Sequence, residues 1–166
     1  MDRVPSLPPP ARAALLGFVT GLRSQVPVAL LAVESQRGRF DPGGGRLARR
    51  FGSSEGVLGA VVACAGELVA DKLPVTPPRT TIGPFLQRLA TGGVVGAAVH
   101  YDAGRARALG ALLGAAGAGV GAYAGTRARA LAAERTGLPG PLLGAAEDLV
   151  AIGLALAVLA AGRDPR

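Results

Sequence analysis

Two carboxylates four residues apart in one apolar run, and two more side by side in another, are the residues whose types and spacing could do chemistry. The first pair closes the run GVLGAVVACAGELVADKL, where Glu67 and Asp71 are followed by Lys72 and Pro74. Helical spacing sets Glu67 and Asp71 on one face, and Pro74 marks the helix end. Two acids on one face near a membrane boundary can bind a cation, relay a proton or pair with an Arg from a neighbouring helix. The plainer reading makes Asp71 and Lys72 headgroup-level residues that close the helix. The second pair, Glu147 and Asp148, lies in AAEDLVAIG. Adjacent helical residues diverge by about 100°, so one acid is expected to pair with Arg while the other touches water.

Compensating bases are few. Arg23, in GLRSQVP, and Arg88 are the two basic residues that fall inside apolar segments. Each charged side chain near a bilayer centre costs about 2.5–3.5 kcal/mol, so uncompensated acids would endanger insertion. The expectation is a buried network of Arg23 and Arg88 with Glu67, Glu147 and Asp148, with Ser24, Asp71 and Lys72 beside it. Such charge pairs can also do no more than fix helix register in a bundle.

The elements that must position these residues are five apolar segments, at about 13–33, 56–73, 83–101, 108–126 and 138–162. The expected fold is all-α: a polytopic transmembrane helical bundle whose first segment is broken between Gly21 and Pro27. A Pro-rich tail (1–12), an exposed loop (34–55) and a short C-terminal tail (163–166) complete the chain. Composition agrees, because 49% of the 166 residues are hydrophobic but only 4% aromatic, with 26 Gly and no Trp. Ala, Gly, Leu and Val are the mixture that lets membrane helices approach closely. Only the fourth segment meets the strict length criterion for a spanning helix, and shorter runs also serve as core helices of soluble proteins. However, segments two, four and five lack the polar stripe that a soluble surface helix carries. The N-terminus resembles a signal peptide, but Pro8–Pro10 interrupt it and the apolar character resumes after Arg23, so a retained first segment is expected.

The net charge of +7 is almost all Arg, with Lys72 the one Lys among eighteen basic residues. The bases sit between apolar runs and form no continuous stripe, which argues against nucleic acid and for a lipid bilayer as partner. With five spans they divide seven to nine between the two sides, too small a margin to set orientation.

Glycines at 110, 114, 117, 121 and 125 step by three or four along one helix face. That groove is built for close packing, and it is expected to join copies of the chain. GVGAYA matches a degenerate dinucleotide pattern without the strand before it, and GSSEG matches a hydrolase elbow but is preceded by RLARRF in place of a strand, with His100 the one histidine in the chain. Cys64 reads as a small buried hydrophobe. His100, the one histidine, reads as an interfacial residue; no metal or cofactor is expected.

Taken in order, GLRSQVP, ELVADKLP, the entry Pro84–Arg88 and AEDLVAIG resemble the bacterial integral membrane family called domain of unknown function 4126. The matching positions are Gly21, Pro27, Glu67, Asp71, Lys72, Pro74, Glu147 and Asp148. The short length and the DPGGG-containing first loop depart from the family pattern. The resemblance implies a multi-pass protein of the bacterial inner membrane and no defined activity. A small transporter or channel using the intramembrane charges is the first expectation, a scaffold that organises partners or lipids the second, and an enzyme the third.

Overall fold

A computed structural model describes residues 7–70 and 80–162, and every regular element among them is helical. The seven helices are α1 (Pro9–Leu22), α2 (Gln25–Gln36), α3 (Arg46–Phe51), α4 (Ser54–Ala70), α5 (Ile82–Asp102), α6 (Arg107–Thr136) and α7 (Gly140–Ala161). Two of them, α6 and α7, are long and apolar enough to cross a membrane. The expected segments 56–73, 83–101, 108–126 and 138–162 correspond to α4, α5, α6 and α7. Asp71, Lys72 and Pro74 lie outside the described residues.

The first apolar segment does not run through the bundle as one broken rod. It reverses. Gly17 faces Gly114 and Gly21 faces Ala118 and Ala122, so α1 runs parallel to α6. Leu7 N donates to the Ala161 carbonyl at 2.9 Å, which puts the start of α1 beside the end of α7. After Arg23 and Ser24 the chain turns back as α2. Asp41 N then donates to Asp102 Oδ1 at 2.8 Å, at the same end of the bundle where α1 began. Fourteen helical residues rise about 21 Å, so the hairpin reaches about two thirds of the way along α5 and α7, which rise about 32 Å. Its apex lies level with Glu67 of α4, Arg88 of α5 and Asp148 of α7.

Gly21 and Pro27, expected to bracket the break, do different work. Gly21 is inside α1, where an added Cβ would collide with the Ala118 carbonyl. Pro27 lies in the first turn of α2, where its missing N–H leaves no helical bond unmade. The break itself falls on Arg23, whose backbone is extended at φ −141°, ψ 106°.

The glycine groove of α6 is filled within the chain. Gly114 receives Gly92 and Gly96 of α5 on one side and Gly17 of α1 on another, while Gly117 and Gly121 meet the backbone of Ala14 and Phe18. Gly110 packs on Gly96 and His100, and Gly125 is buried. The surface expected to join copies therefore carries α1 and α5 of the same chain.

Three boundaries differ from expectation. The N-terminal tail is helical from Pro9, because Pro at the first helical positions presets φ. The basic stretch after segment four continues α6 to Thr136, since Ala, Arg, Leu and Glu are strong helix formers, and Gly137 at φ 63° ends it. The stretch 34–55 is not simply an exposed loop. Phe40 is buried in the core cluster with Leu31 and Val95, and α3 follows. Ser53 of the GSSEG stretch caps α4, its Oγ accepting from Gly56 N at 3.1 Å.

Gly114→Ala is expected to lower stability by about 1–3 kcal/mol, because both neighbours are backbone and cannot yield. Gly153→Ala, with nothing within 4 Å of the added methyl, is expected to be neutral or to gain about 0.5–1 kcal/mol. Thermal unfolding of the purified variants checks the pair.

Candidate functional site

The hairpin apex exposes the two kinds of group that a broken helix leaves unmade: carbonyls at the end of α1 and N–H groups at the start of α2. Each finds a charged partner of matching sign on another helix. Glu67, from α4, accepts Ser24 N and Ser24 Oγ on Oε1 and Gln25 N on Oε2, all at 2.8 Å. Ser24 makes no side-chain cap of its own, so a carboxylate 43 residues downstream in sequence supplies the cap instead. Its negative charge also lies at the positive pole of α2.

Arg88, from α5, brings Nη1 to the Thr20 and Gly21 carbonyls at 3.4 Å each. At that length these are charge–dipole contacts more than short hydrogen bonds. They place a cation at the negative pole of α1. Arg88 Nη2 is 3.4 Å from Glu67 Oε1, so the ion pair bridges the gap between the two helix ends along their dipoles. Gln87 Nε2 donates to Ser24 Oγ at 3.3 Å, and Thr20 Oγ1 donates to the Leu16 carbonyl at 2.9 Å.

Arg23, on the break, is fully buried. Its Nε donates to Asp148 Oδ1, its Nη1 reaches the Leu22 carbonyl at 3.2 Å, and its Nη2 reaches the Gly144 carbonyl at 3.3 Å. Nη2 also lies 3.5 Å from Glu147 Oε2. Both acids of the adjacent pair thus contact one guanidinium, contrary to the expectation that one of them turns to water. The planar fork is wide enough to be approached from two sides, which a Lys ammonium would not reproduce. Glu147 Oε2 also accepts from Arg129 Nη2 at 2.8 Å, giving a chain Arg129–Glu147–Arg23–Asp148.

The structure therefore gathers Arg23, Ser24, Glu67, Arg88, Glu147 and Asp148 at one level of the bundle. Arg129 and Gln87 were not among the expected members. Arg129 lies between the fourth and fifth expected segments; the high helix propensity of RARALAAER is the signal that extends α6 and sets Arg129 opposite Glu147. His100, expected at an interface, is instead buried, with Nδ1 3.1 Å from the Ala106 carbonyl and its Cβ against Gly110. Cys64 is half-buried, one turn before Glu67, and packs against the core. No group of three or more metal-ligating side chains forms among the described residues.

Comparison of the chain with family models, with curated proteins and with solved structures finds no match.

Arg23→Ala is expected to destabilise the protein by about 3–5 kcal/mol, because it strands a largely buried carboxylate. Adding Asp148→Ala to it is expected to cost less than the sum of the single changes, and Arg23→Lys is expected to recover only part of the loss. Thermal or denaturant unfolding of the four variants gives the cycle; strict additivity would show that the pair is not coupled.

Proposed function

We propose that the chain is a multi-pass protein of the bacterial inner membrane and that the hairpin apex with its charges is the working part of a small transporter or channel. One observation carries this reading: a polar helix break sits among buried charges inside a bundle whose outer surface is apolar. Leu58, Val62 and Val69 of α4, Leu112 and Val120 of α6, and Leu149 and Leu156 of α7 are exposed, while Arg23, Arg88 and Asp148 are buried. A protein surrounded by water is expected to distribute them the other way round. Non-helical backbone is tolerated at membrane depth only inside protein or beside water, and paired half-helix ends are where transporters hold ions and charged solutes. In this reading α4, α5, α6 and α7 span the bilayer and α1–α2 is re-entrant.

The resemblance to domain of unknown function 4126 is compatible with this proposal. Five of the positions that carry it, Gly21, Pro27, Glu67, Glu147 and Asp148, lie on or around the apex.

A hairpin in place of a first span also sharpens orientation. Both ends of the hairpin and the α5–α6 turn then share one side, with Arg12, Arg37, Arg39, Arg46, Arg49, Arg50, Arg105 and Arg107. The opposite side holds Arg127, Arg129 and Arg135 among the described residues. By the positive-inside rule the first side is cytoplasmic.

A second reading is favoured by the way the apex charges satisfy one another. Both oxygens of Glu67 are engaged within the chain, as in a clamp that only locks the bundle. Flux separates the two. Purified protein in liposomes is expected to pass ions, protons or a small solute, and Glu147→Gln to change that flux while still inserting. No flux for any of these, with a partner protein that stays bound through purification, would favour the locking role. Cysteines placed at Gly38 and at Thr136 are expected to label from the cytoplasmic and the opposite face respectively; labelling of both from one face would overturn the four-span arrangement.

A further inference from the structure

We infer that the lateral cleft between α6 and α7 holds one acyl chain of an anionic phospholipid, with the lipid phosphate on Arg129. The cleft has a volume of about 370 Å³ and a floor made by Phe18 and Leu22 of α1. Its lining extends from Leu143 to Leu154 along α7, about 16 Å of helix, so it is elongated in the way a hydrocarbon chain is and a compact solute is not. Every lining residue is apolar or glycine except Arg129 and Glu147.

Those two lie toward one end, about 6 Å along α7 from Leu143, and leave about 10 Å of apolar lining between Glu147 and Leu154 for the chain. Arg129 spends Nη2 on Glu147, but its Nε is buried and has no hydrogen-bond partner among the described residues. A guanidinium has five N–H donors, and Glu147 is already shared with Arg23 at 3.5 Å. Arg129 is thus left with donors for a further acceptor. Arg127, Arg129 and Arg135 on this end of α6 outnumber the acids Glu134 and Glu147 beside them, so the surroundings favour an anionic over a neutral or cationic head. A phosphate on Arg129 competes with Glu147 for the guanidinium and leaves that carboxylate to Arg23. Occupancy of the cleft is in this way felt at the hairpin apex.

The inference rests on the membrane reading, and the test distinguishes the two. Protein purified in mild detergent is titrated with phosphatidylglycerol and with phosphatidylcholine of equal chain length and read by native mass spectrometry. One phosphatidylglycerol per chain is expected to be retained where phosphatidylcholine is not. Arg129→Gln is expected to weaken that retention about tenfold or more, the size of one charge-assisted hydrogen bond. Ala128→Trp, which fills the cleft, is expected to abolish it while the melting temperature shows that the variant is folded. Equal retention of the two lipids overturns the assignment, as does indifference to Arg129→Gln or retention of a fatty acid in place of the phospholipid. Carbonate extraction of cell membranes supplies the other arm: a chain released into the soluble fraction defeats the membrane reading, whereas a chain that stays in the pellet yet retains no lipid defeats this inference alone.

Discussion

A helix that stops inside a protein leaves backbone donors and acceptors with no water to complete them, and the rest of this fold is arranged around that requirement. The end of α1 offers carbonyls and the start of α2 offers N–H groups, so the two ends need charges of opposite sign. Arg88 and Glu67 supply them from two different helices and neutralise each other across the gap. Arg23 brings a further positive charge to the same point, and Asp148 with Glu147 balances it. Each helix around the hairpin thus has a fixed depth, because a shift by one turn would move its charge off the helix end it completes.

Fixing depth by charge works only if the helices come close enough for short contacts. Gly92, Gly96 and Gly114 let α5 and α6 meet backbone to backbone, and Gly17 and Gly21 do the same for α1 on α6. The charge network and the glycine surfaces therefore belong to one arrangement: the glycines set the spacing between axes, and the ion pairs set the register along them. Removing a glycine disturbs the apex without touching it.

The acids and bases of the site were legible in the sequence because charge is costly inside an apolar run, and a costly residue that persists there needs a partner. That Arg23 needs acids from other helices is legible for the same reason; that Asp148 is the one its Nε meets is not. What GLRSQVP could not reveal was direction: one polar interruption serves a kink that continues and a turn that reverses, and only the contacts of Leu7 and Asp41 at one shared end tell them apart. The glycine steps in α6 showed a surface for close approach but not whose helix would fill it. Arg129 falls between two apolar runs, where hydrophobicity alone gives no helix and only the propensity of the Ala, Arg, Leu and Glu residues continues α6. Glu67 as a cap for α2 had no local signal at all, since capping patterns are read within four residues and this one joins positions 43 apart.

The hairpin comes first in the chain, and the residues that complete it come later. Asp148 lies 125 residues after Arg23. At a synthesis rate of about 5–20 residues per second, Arg23 waits roughly 6–25 s for that partner to be made. Glu67 and Arg88 arrive in between and can settle the helix ends, while the contacts of the buried guanidinium with Asp148 and Glu147 wait for α7. α7 is thus the latch on the α1–α2 hairpin, and a chain truncated before α7 would hold an element that was made early and never closed.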